Sequence, residues 1–130
     1  MTVVAQYFEA FNAGDVDGML ACLTEDVAHH VNEGQIRRGR EAFATFCRHM
    51  SRCYAEELRD MVVFVHPDGT RAAAEYAVHG TYLATDGDLP AAHGQRYVLP
   101  AGSFFDLRDG RISRVTTYYN LADWLRQVTA

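Results

Sequence analysis

A short stretch near the start of the chain, Asp26-Val27-Ala28-His29-His30-Val31-Asn32-Glu33, carries side chains suited to proton chemistry. An imidazole has an ordinary pKa of about 6.5, so His29 or His30 could act as a general acid or base near neutral pH. The amide of Asn32 could polarise a carbonyl group. In a strand, His29 shares one side with Val31 and His30 takes the other, and a bulge would exchange them. The competing interpretation is a partly buried histidine bonded to backbone and an amide that closes the strand end.

Tyr7 is the second candidate for chemistry. It belongs to the apolar stripe Val4, Tyr7, Phe8 and Phe11, whose spacing gathers on one helix face and turns the tyrosine toward the core. A buried tyrosine hydroxyl usually finds a hydrogen-bond partner, which could be a ligand. The alternative is an aromatic core residue with its hydroxyl at the rim.

Metal-ligating patterns are weak. Adjacent residues of a strand point to opposite faces, so His29 and His30 cannot readily hold one ion. Cys47 and His49, two residues apart on a predicted helix, also diverge. We therefore expect no metal and no cofactor, and neither a phosphate-binding glycine loop nor a serine or cysteine nucleophile motif is visible.

These residues must be positioned by a mixture of helices and strands. The helical period recurs around Val4 to Phe11, Val16 to Leu23, Arg40 to Cys53 and after Asn120. Gly14 suits a left-handed helix end and Asp15 a helix N-cap. Strands are predicted, in chain order, over the stretch containing His29 and over Met61 to Val65, Arg71 to Leu83, Arg96 to Leu107 and Arg111 to Tyr119.

Helices followed by consecutive antiparallel strands predict an α+β fold, as one domain over residues 1–130. Gly80 and Gly102 lie inside long strands, where they suggest bends or bulges. We therefore expect a strongly curved mixed or antiparallel sheet, wrapped around the N-terminal helices as a cone. It would enclose an apolar pocket and be followed by a short C-terminal helix.

Alternation assigns the strand faces. Tyr76, Val78, Gly80 and Tyr82 share the side predicted to face the pocket, and His79 shares the other side with Glu75 as a polar interface pair. The strand from Arg96 to Leu107 is apolar on both faces. Since the helices can cover only one face, we expect a second copy of the chain on the other, as a homodimer through the sheet.

Bulk composition excludes several classes. A formal charge of -5 disfavours a nucleic-acid surface, and no apolar run approaches the length of about 18 residues needed for a membrane span. Three cysteines, an odd number without a CxxC spacing, indicate free thiols in a reducing compartment. We expect a cytoplasmic protein that contacts neither nucleic acid nor membrane.

Two segments resemble a known family. Tyr7-Phe8-Glu9-Ala10-Phe11-Asn12-Ala13-Gly14-Asp15, with Leu23-Thr24-Glu25-Asp26-Val27, resembles the opening of ketosteroid isomerases and SnoaL-like polyketide cyclases, within the nuclear transport factor 2-like superfamily. Phe105-Asp106-Leu107-Arg108-Asp109-Gly110-Arg111-Ile112 resembles their last hairpin. The resemblance implies a cone-shaped sheet, an apolar pocket and a homodimer.

The resemblance also assigns positions. Tyr7 stands where the isomerases have an oxyanion-binding tyrosine, whereas their base corresponds to Val31 and their acid to Gly102 or Ala101. Valine, glycine and alanine have no side-chain group that can move a proton or donate a hydrogen bond. Ketosteroid isomerisation by that route is therefore not expected. The strand acid of the cyclases and the Asp-Arg-Asp group of limonene-epoxide hydrolases are also missing.

The sequence thus predicts a protein that binds an apolar carbonyl compound, and two alternatives stay open. The first is an isomerase- or cyclase-like enzyme without the usual pocket carboxylates, and the second is a non-catalytic ligand-binding or dimerisation module. The candidate catalytic residues are Tyr7, His29, His30 and Asn32. The predicted ligand contacts are Phe11, Val31, Tyr76, Val78, Tyr82, Gly102 and Tyr119.

Overall fold

The structure is a computed structural model that describes residues 1–32 and 34–130. Glu33, which closes the predicted stretch around His29, lies outside the described residues. The helices are α1 (Val3–Asn12), α2 (Val16–Ala21), α3 (Arg40–Cys53) and α4 (Leu121–Thr129). The strands are β1 (Leu23–Val31), β2 (Arg37–Arg38), β3 (Tyr54–Val65), β4 (Arg71–Tyr82), β5 (Arg96–Arg108) and β6 (Arg111–Tyr119).

The strands form one mixed sheet in the order β2-β1-β6-β5-β4-β3. β1 runs parallel to β6, and every other neighbouring pair is antiparallel. The helices α1 and α3 pack on its inner face, and α4 returns onto β5. The predicted α+β class, with a mixed sheet around the N-terminal helices and a C-terminal helix, is confirmed.

Local signals account for the helix ends. The side chain of Asp15 accepts a hydrogen bond from the Gly18 N–H at the start of α2, and that of Asn120 does the same for Asp123 in α4. Gly14 takes the left-handed conformation with φ of 69° between α1 and α2. α1 packs on the sheet through β3 and β6, and α2 packs on α1 and α3.

Two strands differ from the prediction. β3 begins at Tyr54 rather than Met61, because its first half is polar on the outer face and carries no continuous apolar run. β2 was not among the predicted strands. Moreover, β4 and β5 pair without a register shift through Gly80 and Gly102, so neither glycine marks a bulge.

The core lies between the helices and the inner sheet face. Tyr7 and Phe8 of α1 pack edge to face on Phe105 of β5, with ring centroids 6.0 and 5.6 Å apart. Phe43 of α3 contacts Tyr7 from the other side at 6.2 Å. Within the described ranges 1–32 and 34–130, no helix is long and apolar enough to span a bilayer.

Candidate functional site

A cavity of about 670 Å³ opens between the helices and the inner face of the sheet. That volume lies within the range of about 300 to 1,000 Å³ typical of small-molecule sites. Its wall is mainly apolar and aromatic, and all four helices and all six strands contribute to it. Residues predicted for the site that do line it are Tyr7, Phe11, His29, Val31, Asn32, Tyr76, Val78 and Tyr119.

Three predicted site residues lie outside the cavity wall: His30, Tyr82 and Gly102. His30 points away because it alternates with His29 on β1. Gly102 pairs with Glu75 on the outer face of β4, so Ala101 and Ser103 face the cavity instead. These placements correct the prediction for His30 and Gly102.

Tyr82 has the predicted orientation but lies behind the cavity wall. It is fully buried and stacks on Tyr54, with ring centroids 5.4 Å apart. Its hydroxyl donates to the Pro90 carbonyl at 2.7 Å and accepts from the Asp86 N–H at 3.0 Å. Tyr82 therefore holds the loop after β4 rather than a ligand.

Tyr7 is buried in the cavity wall, and its hydroxyl makes no hydrogen bond to any described residue. Burial raises the pKa of Tyr7 well above its ordinary value, so the phenol stays protonated at neutral pH. A protonated phenol that lines a cavity and lacks a partner can donate a hydrogen bond to a ligand oxygen.

His29 is also buried in the wall. Its ring lies between Phe43 and Phe46, with centroid separations of 4.7 and 4.8 Å, and Nδ1 has no partner among the described residues. Burial, and secondarily the charges of Arg37 and His30, lowers the pKa of His29 to about 4. The neutral imidazole favours the tautomer with hydrogen on Nε2, since an unpaired buried acceptor costs less than an unpaired N–H.

Asn32 mainly completes the sheet. Its Oδ1 accepts a hydrogen bond from the Tyr119 N–H at 2.8 Å, and its backbone takes a left-handed conformation with φ of 49°. Its own N–H donates to the Thr117 carbonyl at 2.8 Å. These contacts fix the end of β1 against β6, which matches the strand-end alternative weighed from the sequence.

A row of hydroxyl groups crosses the inner sheet face. The Tyr76 hydroxyl lies 2.7 Å from Ser103 Oγ, which in turn lies 2.8 Å from Thr117 Oγ1. The three residues belong to β4, β5 and β6 and all line the cavity. This row gives the otherwise apolar wall one polar strip.

Sequence reasoning missed two carboxylates in the wall, Glu56 and Asp86. Glu56 was overlooked because the first half of β3 was not predicted as a strand. Once that half is paired, Glu56 lies beside Gly80 of β4, on the inner face. The side chain of Asn12 fixes this part of β3: it bonds the Leu58 N–H at 2.9 Å and the Leu58 carbonyl at 3.0 Å.

Gly80 of β4 allows a contact between the two strands on either side of it, β5 and β3. Tyr97 of β5 extends its ring over Gly80 and donates its hydroxyl to Glu56 Oε2 on β3 at 2.6 Å. A Cβ at Gly80 would lie 2.2 to 2.4 Å from ring and hydroxyl atoms of Tyr97, so glycine is needed for this contact. The sequence signal was a glycine inside a strand, which can mark the close approach of another group.

The electrostatics around Glu56 are those of a buried carboxyl group. Burial raises the pKa of Glu56, and the hydrogen bond from Tyr97 opposes that shift. Burial, followed by the charge of Glu56, raises the pKa of Tyr97 and Tyr119. The phenols therefore remain donors, while Glu56 Oε1 accepts no hydrogen bond from the described residues.

Asp86 lies at the rim, on the loop after β4. Its Oδ2 accepts a hydrogen bond from the Tyr54 hydroxyl at 2.7 Å, and its Oδ1 lies 2.7 Å from His49 Nε2. Cys53 Sγ is 4.0 Å from the same nitrogen. Among the described residues, His49, Cys53 and Asp86 form the group whose chemistry suits a metal ion.

The mixed sheet, with helices packed on its inner face and a cavity between them, has the fold of nuclear transport factor 2-like proteins. The sequence profile of the SnoaL-like domain family matches residues 4–115. The chain belongs to this family. None of the proteins with curated functions matches the sequence.

Solved structures agree with this assignment. A candidate polyketide cyclase from a Silicibacter species is 73% identical, with a TM-score of 0.96 over 98% of this chain and 93% of that chain. One from Pseudomonas putida is 55% identical, with a TM-score of 0.96 over 98% of both chains. One from Xanthomonas campestris is 58% identical, with a TM-score of 0.94 over 97% of this chain and 93% of that chain.

Proposed function

We propose that the protein is an isomerase- or cyclase-type enzyme that moves a proton next to the carbonyl group of an apolar small molecule. The observation that carries the proposal is the Glu56 carboxyl group in the cavity wall. One of its oxygens is held by Tyr97 and the other is free for a ligand. The family, and the description of close structural relatives as candidate polyketide cyclases, supports the same substrate class.

Glu56 is suited to the role of general base. Burial raises the pKa of Glu56, which makes the ionised carboxylate a stronger base than one in water. In the proposed step, Glu56 takes a proton from the carbon beside the carbonyl, and the electron pair of that C–H bond moves to the carbonyl oxygen. Glu56 then holds the proton, and the ligand is an enolate.

The enolate oxygen requires a hydrogen-bond donor. Tyr7 supplies a protonated hydroxyl without a partner, and neutral His29 supplies an N–H under the tautomer argued above. Donors in a desolvated site stabilise such developing charge strongly. We assign Tyr7 as the donor and His29 as the second candidate for this role.

The second half of the reaction distinguishes the two enzyme classes. In an isomerase, Glu56 returns its proton to another carbon of the enolate. In a cyclase, the enolate carbon attacks a second carbonyl of the same ligand, a C–C bond forms, and Glu56 gives its proton to the new alkoxide. Both outcomes use one carboxylate as base and then as acid.

The test needs no knowledge of the natural substrate. Exchange of the α-hydrogens for deuterium can be followed by NMR across a panel of cyclic ketones, 1,3-diketones and unsaturated ketones. We expect exchange with ligands that bind, and a loss of about 10² to 10⁴-fold in Glu56→Gln with unchanged affinity. Tyr7→Phe should lower the exchange rate, since only its hydroxyl is removed.

Glu57→Gln is the matched control, because Glu57 is the next residue but is exposed and paired with Arg59. Its exchange rate should equal that of the unaltered protein. Full activity in Glu56→Gln would refute the role of Glu56. Ligands that bind without any exchange would instead favour the non-catalytic binding module. The absence of ionisable side chains at Val31 and at Gly102 or Ala101, where the resemblance places the family's carboxylates, argues for that module.

We also propose the homodimer through the outer sheet face. Five apolar residues on that face are 40 to 55% exposed: Val62, Phe64, Val98, Phe104 and Tyr118. The strand register places all five on the side opposite the cavity. An apolar surface of this kind on one sheet face is typical of a protein interface.

A further inference from the structure

A side-chain cluster lies where the end of α3 meets the loop after β4. His49 and Cys53 are four residues apart on α3, so they share one helix face, and Asp86 approaches them from the loop. The ligating nitrogen, sulfur and oxygen all lie within 4.8 Å of one another. Cys53 is 4% exposed, while His49 and Asp86 reach the surface.

We propose that His49, Cys53 and Asp86 bind one divalent ion of the zinc type. A nitrogen, a thiolate and a carboxylate oxygen are a ligand set that Zn²⁺ uses. In a tetrahedral site with the usual bond lengths, ligand atoms lie roughly 3.3 to 3.6 Å apart. Here His49 Nε2 is 2.7 Å from Asp86 Oδ1 and 4.0 Å from Cys53 Sγ, so small side-chain rotations create the site.

The carboxylate is already oriented by its surroundings. The Tyr54 hydroxyl donates to Asp86 Oδ2, which turns Oδ1 toward His49. The Asp86 N–H is anchored on the Tyr82 hydroxyl at 3.0 Å, and Tyr82 is fully buried. Such outer hydrogen bonds to a ligating carboxylate are typical of metal sites.

Metal binding requires His49 Nε2 and Cys53 Sγ to give up their hydrogens. Arg52 donates to His49 Nδ1 at 3.3 Å, so His49 now carries its hydrogen on Nε2 and shares it with Asp86. Metal binding moves that hydrogen to Nδ1, releases the exposed Arg52 side chain to solvent, and releases the thiol proton of Cys53 to water. The ion thus replaces the His49–Asp86 hydrogen bond.

The position of the cluster gives the ion access to a ligand. Asp86 and Tyr54 belong to the cavity wall, and three protein ligands leave a fourth position for water or a ligand oxygen. The proposed site is independent of the Glu56 chemistry, which requires no metal. It offers a carbonyl or carboxylate group of a bound molecule a Lewis acid at the rim.

Cobalt(II) titration of the metal-free protein tests the proposal. We expect one equivalent to bind with a thiolate-to-cobalt charge-transfer band, which zinc should displace. The band should vanish in Cys53→Ser and persist in Cys47→Ser, a matched thiol on the same helix. Cys47 does not belong to the group of ligating atoms that lie close together, so its thiol should not contribute to the band.

Two further variants keep the test decisive if Cys53→Ser fails to fold by circular dichroism. His49→Gln, at a partly exposed position, should weaken cobalt binding at least tenfold. Tyr54→Phe should weaken it about 10 to 100-fold through the loss of the carboxylate partner. The proposal is overturned by the absence of a band in the unaltered protein, by a band that survives Cys53→Ser, or by unchanged affinity in His49→Gln.

Discussion

At the residue scale, Glu56 and His29 occupy similar surroundings and differ in their hydrogen bonds. Glu56 has one oxygen held by Tyr97, whereas His29 Nδ1 is buried without a partner among the described residues. Burial raises the pKa of the Glu56 carboxyl group and lowers the pKa of the His29 imidazole, since it disfavours the charged form of both groups. The cavity therefore keeps His29 neutral and makes Glu56 more basic.

The low pKa of His29 predicts a loss of stability in mild acid. An unfolded histidine binds a proton below about pH 6.5, but folded His29 does so only near a pKa of about 4. The free energy of unfolding should therefore fall as pH decreases through this window. The contribution of His29 between about pH 7.5 and 4.5 should be roughly 2 to 3 kcal/mol.

Measurement of the free energy of unfolding in urea, at about pH 7.5 and at about pH 4.5, checks this prediction. His29→Phe keeps a ring between Phe43 and Phe46 but cannot titrate, so its stability should fall less in acid than that of the unaltered protein. His93→Phe, at an exposed position, should retain the full pH dependence. An equal loss in His29→Phe and the unaltered protein would contradict the assigned pKa.

At the scale of elements, the inner face of β3, β4 and β5 depends on one glycine. Glu56, Gly80 and Tyr97 lie side by side on the three strands, so the tyrosine crosses the middle strand where no side chain stands. Asn12 of α1 fixes the same part of β3 through two hydrogen bonds. The orientation of Glu56 is thus a property of three strands and a helix together.

Gly80→Ala should destabilise the protein and reduce turnover. The added Cβ would lie 2.2 Å from the Tyr97 ring, which must move and leave Glu56. Overpacking of this kind costs about 1 to 3 kcal/mol. Thermal unfolding and the deuterium-exchange assay would measure the two effects.

Gly102→Ala is the matched control on the neighbouring strand. Its Cβ would meet the Ala74 carbonyl oxygen at 3.5 Å, an ordinary contact on the outer face. We expect a change within about 0.5 kcal/mol and unchanged exchange. Similar losses of stability and exchange rate in Gly80→Ala and Gly102→Ala would show that the effect comes from replacing any strand glycine and not from the Tyr97 contact.

At the scale of the whole molecule, the two sheet faces have different roles. The inner face carries the cavity, and the outer face exposes a cluster of large apolar side chains. Phe104 and Tyr118 lie edge to face there, with ring centroids 5.9 Å apart. The proposed dimer would cover this cluster and leave the cavity accessible.

Phe104→Lys should shift the protein toward a monomer. Phe104 is 47% exposed near the middle of the outer face, and a buried charge at an interface without a partner is costly. Sedimentation over a range of concentrations would show a mass near 14.6 kDa for the variant and twice that mass for the unaltered protein. Ile36→Lys, at an exposed apolar position outside the predicted interface, should remain dimeric. A monomeric unaltered protein would contradict the proposal.

Elements whose signals are local could be predicted from the sequence alone. The apolar stripe from Arg40 to Cys53 predicted α3 with its observed ends, and the strands predicted over Arg96 to Leu107 and Arg111 to Tyr119 correspond to β5 and β6, joined by the turn at Asp109-Gly110. Alternation placed His29 and Val31 on one side of β1, and both line the cavity. Helix stripes and tight turns depend on residues within one or two turns of each other, so a sequence displays them directly.

The contacts between distant polar groups could not be predicted from the sequence, because they depend on the packed sheet. Tyr97 and Glu56 are 41 positions apart, and Asp86 and His49 are 37 apart, so strand register and loop path bring them together. The prediction failed at Gly102 because a one-residue difference in register exchanges the two faces of a strand. The sequence shows that Gly80 lacks a side chain, but only the packed sheet shows that Tyr97 fills the space.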